Sequence, residues 1–478
     1  MTSSTFTQNR QAALGAIPSA ELISRYDRPG PRYTSYPTAA EFKDTFTESD
    51  RLAAIASAAP GPLSAYIHVP FCSSPCFYCA CTKVITRRLD MADAYVNRLE
   101  REIEWVGNQF DGARSLQQLH FGGGTPTFLS IDHLSCIFGS LDRHFGLVTD
   151  SDREYSIEID PRTVQPTTMA ELAALGFNRA SFGIQDFDPD VQRAVNREQT
   201  PEETAALLDA ARRAGFSSLS IDLIYGLPKQ TQDSFTRTLD QVIAMQPDRV
   251  AAYSYAHLPE RFKPQRQIED ADLPSAAEKL GLLLLIGRKL TEAGYVAIGM
   301  DHYARPADTL AVALTDGGLH RNFQGYSTHA ALDLVGFGMS AISRIGNCYS
   351  QNARTLPGYY GAIDYGALPI ERGIRLTHDD RVRRETIEQI MCRGEVDEAA
   401  ISEQFGINFE RYFAAELAEM AQLEADGLVR RLPGKLQVTA IGRHLLRPIA
   451  MPFDAYLRRS AAAPTLHAPP VRRYSRTI

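Results

Sequence analysis

Tyr66-Ile-His-Val-Pro-Phe-Cys72-Ser-Ser-Pro-Cys76-Phe-Tyr78-Cys79-Ala-Cys81-Thr-Lys83 is the stretch from which the rest of the chain can be read. An apolar, strand-like run ends in four of the seven cysteines. Cys72, Cys76 and Cys79 have the spacing C-x3-C-x2-C, and a short loop so spaced can aim three thiolates into one small volume. Soft thiolates suit iron–sulfur clusters or zinc. A cubane takes four ligands, so three local cysteines leave one iron open for chemistry. Structural zinc with Cys81 as fourth ligand is the rival. Cys79 and Cys81 are one residue apart, awkward for two ligands of one tetrahedral ion, and no second cysteine knuckle follows. A [4Fe–4S] cluster is the stronger reading.

Outward from that stretch, six strand-like runs occur at 64–70, 116–121, 154–159, 179–185, 218–225 and 249–255, with helical periodicity between them. Ala92, Tyr95, Val96, Leu99, Ile103 and Val106 form one apolar stripe, as do Ile131, Leu134, Phe138, Leu141 and Phe145. Thr200-Pro-Glu-Glu203 and Ser275-Ala-Ala-Glu278 are capping boxes. The alternation predicts a parallel sheet with helices packed outside it, either a partial (β/α) barrel or a doubly wound sheet. Each strand ends in polar or glycine residues: the cysteines, Gly122-Gly-Gly-Thr125, Glu158-Ile-Asp160, Gln185-Asp186, Asp222 with Tyr225-Gly, and Tyr255-Ala-His257. Parallel β/α folds place their sites at that edge. Alone, the glycine run could be a tight turn and Glu158 a solvated loop acid. Asp222 lies in an apolar strand, where a carboxylate must pair with an arginine or bind a ligand.

The totals narrow the class. At 478 residues, 44% hydrophobic and 22% charged, the chain is an ordinary globular protein of two or three domains. A formal net charge of −7 argues against a general nucleic-acid or membrane-surface binder. Seven cysteines, mostly clustered, suit a reducing compartment. Met1 to Arg28 has no signal-peptide core, and no apolar run is long enough to span a membrane, so a cytoplasmic location is expected. The expected division is an N-terminal extension over 1–60 packing on the core, a catalytic domain over 61–373, a helical domain over 374–458 and a tail over 459–478. Within the extension, Arg32 to Pro37 reads as an extended surface segment. From Thr377, helices to about 393, at 397–404 and at 408–425 precede a small hairpin around Pro433-Gly434, followed by a last helix from about Ile441. This is a winged-helix-like pattern. Glu416, Glu419, Glu424 and Asp426 make its 414–426 helix too acidic to bind DNA.

The cysteine stretch with Gly-Gly-Gly-Thr-Pro after the next strand resembles the radical S-adenosylmethionine (SAM) superfamily. Arg32-Tyr-Thr-Ser-Tyr-Pro37, Cys79-Ala-Cys81, Asn196-Arg-Glu198, Ile221 to Lys229, Asn322-Phe-Gln-Gly-Tyr326 and Gly338 to Ser343 narrow the resemblance to the family of oxygen-independent coproporphyrinogen III oxidases, over nearly the whole chain. The resemblance implies an α/β fold: a partial (β/α)6 TIM-like barrel with a smaller, winged-helix-like C-terminal domain. It implies that Cys72, Cys76 and Cys79 hold a [4Fe–4S] cluster, that Cys81 is not a ligand, and that two SAM molecules bind. One is cleaved by an electron from the cluster, giving the radical that takes hydrogen from a propionate. That side chain loses carbon dioxide and an electron to become vinyl, and two rounds turn coproporphyrinogen III into protoporphyrinogen IX. Tyr66, Gly123 and Glu158 match contacts of the first SAM. Tyr78, Gly124, Thr125, Gln185, Arg197, Asp222, Ala256 and Ile342 match positions around the two. Arg32 and Arg321 are candidate partners for substrate carboxylates. A one-electron donor such as flavodoxin or ferredoxin and a monomeric state complete the expectation. Two rivals share the core: a haem-carrying paralogue, which lacks the second cysteine of CxC and the Asn-Phe-Gln-Gly-Tyr phrase, and a radical SAM enzyme with another substrate.

Overall fold

The structure is a computed structural model that describes residues 18–110, 112, 114–329, 332–462 and 474–476. The readings made for Met1 to Arg28 and for the tail lie partly outside these residues. Six strands carry the centre of the fold: β1 (Leu63–Val69), β2 (Leu116–Gly123), β3 (Glu154–Ile159), β4 (Arg179–Gln185), β5 (Ser218–Tyr225) and β6 (Arg249–Ser254). They lie side by side in chain order, each parallel to the next. The sheet is open and twelve-stranded. Beyond β1 come a parallel strand, Asp333–Phe337, and then antiparallel Ile342–Ile345, Cys348–Asn352 and Ile370–Arg375. Beyond β6 come antiparallel His302–Ala304 and Val296–Gly299. These six flanking strands are short and were not legible as strands in the sequence.

Alternation along β1–β6 separates two faces. Leu63, Ala65, Ile67 and Val69 of β1, Phe121 of β2, Ile157 of β3, Phe182 of β4 and Ile221 of β5 are buried in the main core. Helices Asp90–Gly107 and Ile131–Phe145 press their predicted stripes against that face. The opposite face carries Tyr66, His120, Ser156, Glu158, Ser181 and Asp222. Register aligns them: Tyr66 lies beside His120, His120 beside Ser156, and Glu158 beside Ser181. Both predicted capping boxes are present, with Glu203 N–H donating to the Thr200 hydroxyl and Glu278 N–H to that of Ser275.

A second apolar core unites helix His378–Arg393 and the elements after it with Ile23, Tyr26, Tyr33 and Tyr36. The Arg32–Pro37 segment therefore lies inside the protein: Tyr33 and Tyr36 are buried, and the Tyr33 hydroxyl donates to Asp454 (3.1 Å). Two N-terminal helices, Ala20–Tyr26 and Glu48–Ser57, were missed by the periodicity. The helix expected over 408–425 is divided at Phe413, which is fully buried against Phe409 and Phe453. The hairpin Val429–Leu432/Lys435–Val438 gains a third strand, Glu395–Asp397. Two of its three basic side chains are committed, Lys435 to Glu395 and Arg431 to Glu398, while the buried Glu416 accepts from Arg383. Among the described residues no helix is long and apolar enough to cross a membrane.

Phe121 stacks on Phe138 (5.7 Å between ring centres) and meets Phe177 edge-on (5.2 Å) at the centre of the main core. Phe121→Ala is expected to cost about 3–5 kcal/mol in denaturant unfolding. Tyr365→Ala, at a side chain 90% exposed, should stay within about 0.5 kcal/mol of wild type.

Candidate active site

A cavity of about 460 Å³ opens at the C-terminal ends of β1–β5. Its walls carry Cys72, Cys76, Tyr78 and Cys79 from the loop after β1, Gly123, Gly124 and Thr125 after β2, and Glu158 of β3. Gln185 of β4, Arg197 and Asp222 of β5 complete the predicted set that lines it. Cys81 also lies on this wall. Tyr66, Ala256 and Ile342 are not among the lining residues. Tyr66 stacks on His120 (5.8 Å) and shares a hydrogen bond with His68 (3.1 Å). The Ala256 carbonyl is taken by Gln265 (3.1 Å), and Ile342 begins the strand that turns back beside Gly336.

The glycine run has a steric reason. A side chain at Gly124 would lie 2.7 Å from the Phe71 carbonyl, and one at Gly122 would lie 2.8 Å from the Glu158 carboxylate. With that space free, Gly124 N–H donates to Val69 (2.8 Å), Thr125 N–H to Phe71 (2.8 Å), and the Thr125 hydroxyl reaches the Cys72 sulfur (3.4 Å). The other end of the loop is held by the Asn196-Arg197 phrase. Asn196 donates to the Pro75 carbonyl (2.6 Å) and Phe77 N–H donates to Val195 (3.0 Å). Arg197, 7% exposed, approaches the Cys76 sulfur (3.5 Å) and pairs with Asp160 (3.0 Å). Arg162 adds a second guanidinium to both Cys76 (3.5 Å) and Asp160 (2.7 Å).

The donor set fits an iron–sulfur group. Cys76 faces two guanidinium groups, and the Cys79 thiol is lowered by a hydrogen bond from Cys81 and by the Lys83 ammonium, against the opposing effect of burial. Burial pushes the Cys72 thiol up to about 11, so a metal taken there displaces its proton.

Across the cavity stand two carboxylates. Glu158, 43% exposed to the opening, accepts from His120 (3.2 Å) and from Gly123 N–H (3.2 Å). Desolvation alone would raise its pKa, yet the His120 and Gly123 contacts win and hold it below the usual carboxylate value. Asp222 accepts from the Ser181 hydroxyl (2.9 Å) and makes no ion pair among the described residues, so burial pushes it up to about 7. The arginine partner that its apolar strand could have implied is therefore absent. His68, His120, Arg162 and Ser181 were not singled out from sequence, and Asp160 only as the polar end of its strand. The two histidines share the face of Tyr66 by strand alternation, a signal the sequence does contain. Of the proposed carboxylate partners, Arg32 is ion-paired to Asp301 and lies over Tyr253 (5.5 Å), a lining residue, whereas Arg321 lies over Tyr326 (5.1 Å). Neither lines the cavity.

Residues 66–242 match the family model of the radical SAM superfamily, and 376–445 match that of the HemN C-terminal domain. The fold is that of a radical SAM enzyme, a class that works with a [4Fe–4S] cluster and SAM. The oxygen-independent coproporphyrinogen III oxidase of Pseudomonas aeruginosa is 50% identical over 461 residues, 96% of this chain and 98% of that protein. The oxidase of the same name from Escherichia coli is 49% identical over 440 residues, 92% and 96% of the two chains. The solved structure of coproporphyrinogen III oxidase (HemN) from Escherichia coli, described as a radical SAM enzyme, aligns with a TM-score of 0.88 at 48% identity, covering 92% of this chain and 99% of that one. The chain belongs to the family of oxygen-independent coproporphyrinogen III oxidases.

Asp222 gives the site a pH signature. Its value is raised from 3.8 to about 7, so its contribution to stability is fully present below about 4 and lost as pH rises toward 7. In ligand-free protein, Asp222→Asn should flatten the fall in stability over that window. An unchanged pH profile in thermal unfolding would contradict the assignment.

Proposed function

We propose that this chain is an oxygen-independent coproporphyrinogen III oxidase that converts two propionate side chains of coproporphyrinogen III to vinyl groups. The observation that carries the reading is the single cavity in which Cys72, Cys76 and Cys79 face Glu158, Gln185 and Asp222. The family relation supplies the substrate class. For each propionate the balance is loss of carbon dioxide, one hydrogen atom and one electron, leaving a carbon–carbon double bond.

When bound, the cluster and SAM supply the one-electron cleavage whose radical removes that hydrogen. The chain's residues hold, orient and enclose. Cys72, Cys76 and Cys79 are the proposed ligands, with the guanidinium groups of Arg162 and Arg197 standing beside the Cys76 sulfur. Glu158, ionised by its His120 and Gly123 contacts, is placed to accept from a hydroxyl or ammonium group of SAM. Asp222, lacking a cation of its own, gains one when a positively charged ligand arrives, which lowers its affinity for the proton. Gly123, Gly124 and Thr125 bring backbone close to the ligand, with Tyr78, Gln185 and Arg197 on the surrounding walls. Tyr66, Ala256 and Ile342 stay in the proposal as supports at or behind the same edge. The full reading places the enzyme in the cytoplasm as a monomer, served by a one-electron donor of the flavodoxin or ferredoxin class. It divides the chain at about residues 60, 373 and 458.

Anaerobic protein given SAM, a reductant and coproporphyrinogen III should yield protoporphyrinogen IX and 5′-deoxyadenosine together. Cys72→Ser should yield neither and lose the iron–sulfur absorbance, having lost one of three ligands. Stoichiometric haem binding by wild type without any SAM cleavage would favour the haem-carrying paralogue instead.

A further inference from the structure

We propose that Gln265 is a positioning residue that fixes the cysteine loop against the end of β6 and so sets the two walls of the cavity relative to each other. The inference rests on the reading of that cavity as the cluster and SAM site. Gln265 is 0% exposed, in the 3-10 turn Lys263–Gln267, within a polar stretch that gives no periodic signal in the sequence. Its Nε2 donates to the carbonyls of Tyr78 (2.9 Å) and Ala256 (3.1 Å), and its Oε1 accepts from Leu258 N–H (2.6 Å). A carboxamide offers two N–H donors and an acceptor oxygen, so both donors and the oxygen are engaged here. The partners also fix which way round the amide lies, because two carbonyls need donors and an N–H needs an acceptor.

The two carbonyls belong to different walls. Tyr78 precedes Cys79 and lines the cavity on the loop side, while Ala256 lies just past β6, whose Tyr253 lines the other side. Beside the amide, Phe77 and Tyr78 pack in one apolar cluster with Val195, Leu227 and Ile268. Apolar packing resists separation of the loop from β6 but is non-directional. Directional hydrogen bonds set the register, and a buried carbonyl left without its donor is costly. Gln265 touches no lining atom of Glu158 or Asp222. Its effect on SAM runs through the backbone at Tyr78 and Ala256.

The test uses full-length protein with its cluster reconstituted anaerobically: wild type, Gln265→Met and Gln265→Glu. Methionine keeps the length without polarity. Glutamate keeps an acceptor for Leu258 but turns carboxylate oxygens toward two carbonyls. Both variants should retain wild-type iron content, bind SAM about tenfold more weakly by equilibrium dialysis, and broaden the electron paramagnetic resonance signal of the reduced, SAM-bound cluster. Gln230→Met is the comparison for general loosening, since Gln230 is a buried glutamine that braces Gly226, Asp186 and the Ile224 carbonyl at the cavity without touching the cysteine loop. Should Gln265→Met fail to fold, Gln265→Asn, one methylene short of its carbonyls, carries the same expectation. Folded Gln265 variants with wild-type SAM affinity and spectrum would overturn the proposal, as would an equal loss in Gln230→Met. Wild type that holds its cluster yet binds no SAM would overturn this inference and the reading of the cavity together.

Discussion

A loop bearing three thiols within eight residues has no core of its own, so its shape is imposed by the hydrogen bonds it exchanges with its neighbours. Gly124 and Thr125 donate from the end of β2, Asn196 and Arg197 donate from the segment after β4, and Gln265 donates from the turn after β6. Each contact falls on a backbone atom or a cysteine sulfur. The glycine run exists because the β2 end must approach Pro70 and Phe71 more closely than any side chain allows. The sheet therefore acts as a frame with three fixings. The loop's geometry is as rigid as the parallel register that spaces them.

The same register sorts charge. Period-two alternation sends apolar side chains to the helices and polar ones to the inner face, so Tyr66, His120 and Ser156 form a row that ends at Glu158. The row holds one carboxylate ionised. Asp222, two strands further on, has only a serine hydroxyl as a hydrogen-bond partner among the described residues and stays easily protonated. Two acids in one cavity thus differ through their surroundings alone, one already satisfied and one awaiting a cation. Around Cys76 the polarity reverses, with two arginines sharing Asp160 as their acid. The lone carboxylate and the paired guanidinium groups line one cavity, so that it offers partners to a ligand with both signs of charge.

Much of this was legible in the chain because it is local. Six strands, their helical stripes, both capping boxes and the three-cysteine spacing are short-range patterns, and the polar strand ends named the edge of the sheet at which the cavity opens. What stayed hidden depends on distant parts of the chain meeting. Tyr33 and Tyr36 lie in a segment that reads as surface, yet they are buried among helices more than 340 residues away in sequence, with Tyr33 bonded to Asp454. The flanking strands after residue 295 are three to six residues long and rich in glycine, histidine and arginine, so alternation has too few steps to register. His120 and Ser181 gain meaning only when β2 and β4 are set beside β3 and β5. Gln265, in an irregular turn, carried no signal at all.

The central claim is that Cys72, Cys76 and Cys79 would hold the cluster in the same cavity that Glu158 and Asp222 line, where SAM would bind. Electron paramagnetic resonance of the anaerobically reduced wild-type protein, recorded with and without SAM, tests it most directly. The account predicts a reduced [4Fe–4S] signal whose shape changes when SAM is added, because both would occupy one cavity. A cluster signal left unchanged by saturating SAM, or no iron–sulfur signal in protein supplied with iron and sulfide, would contradict it.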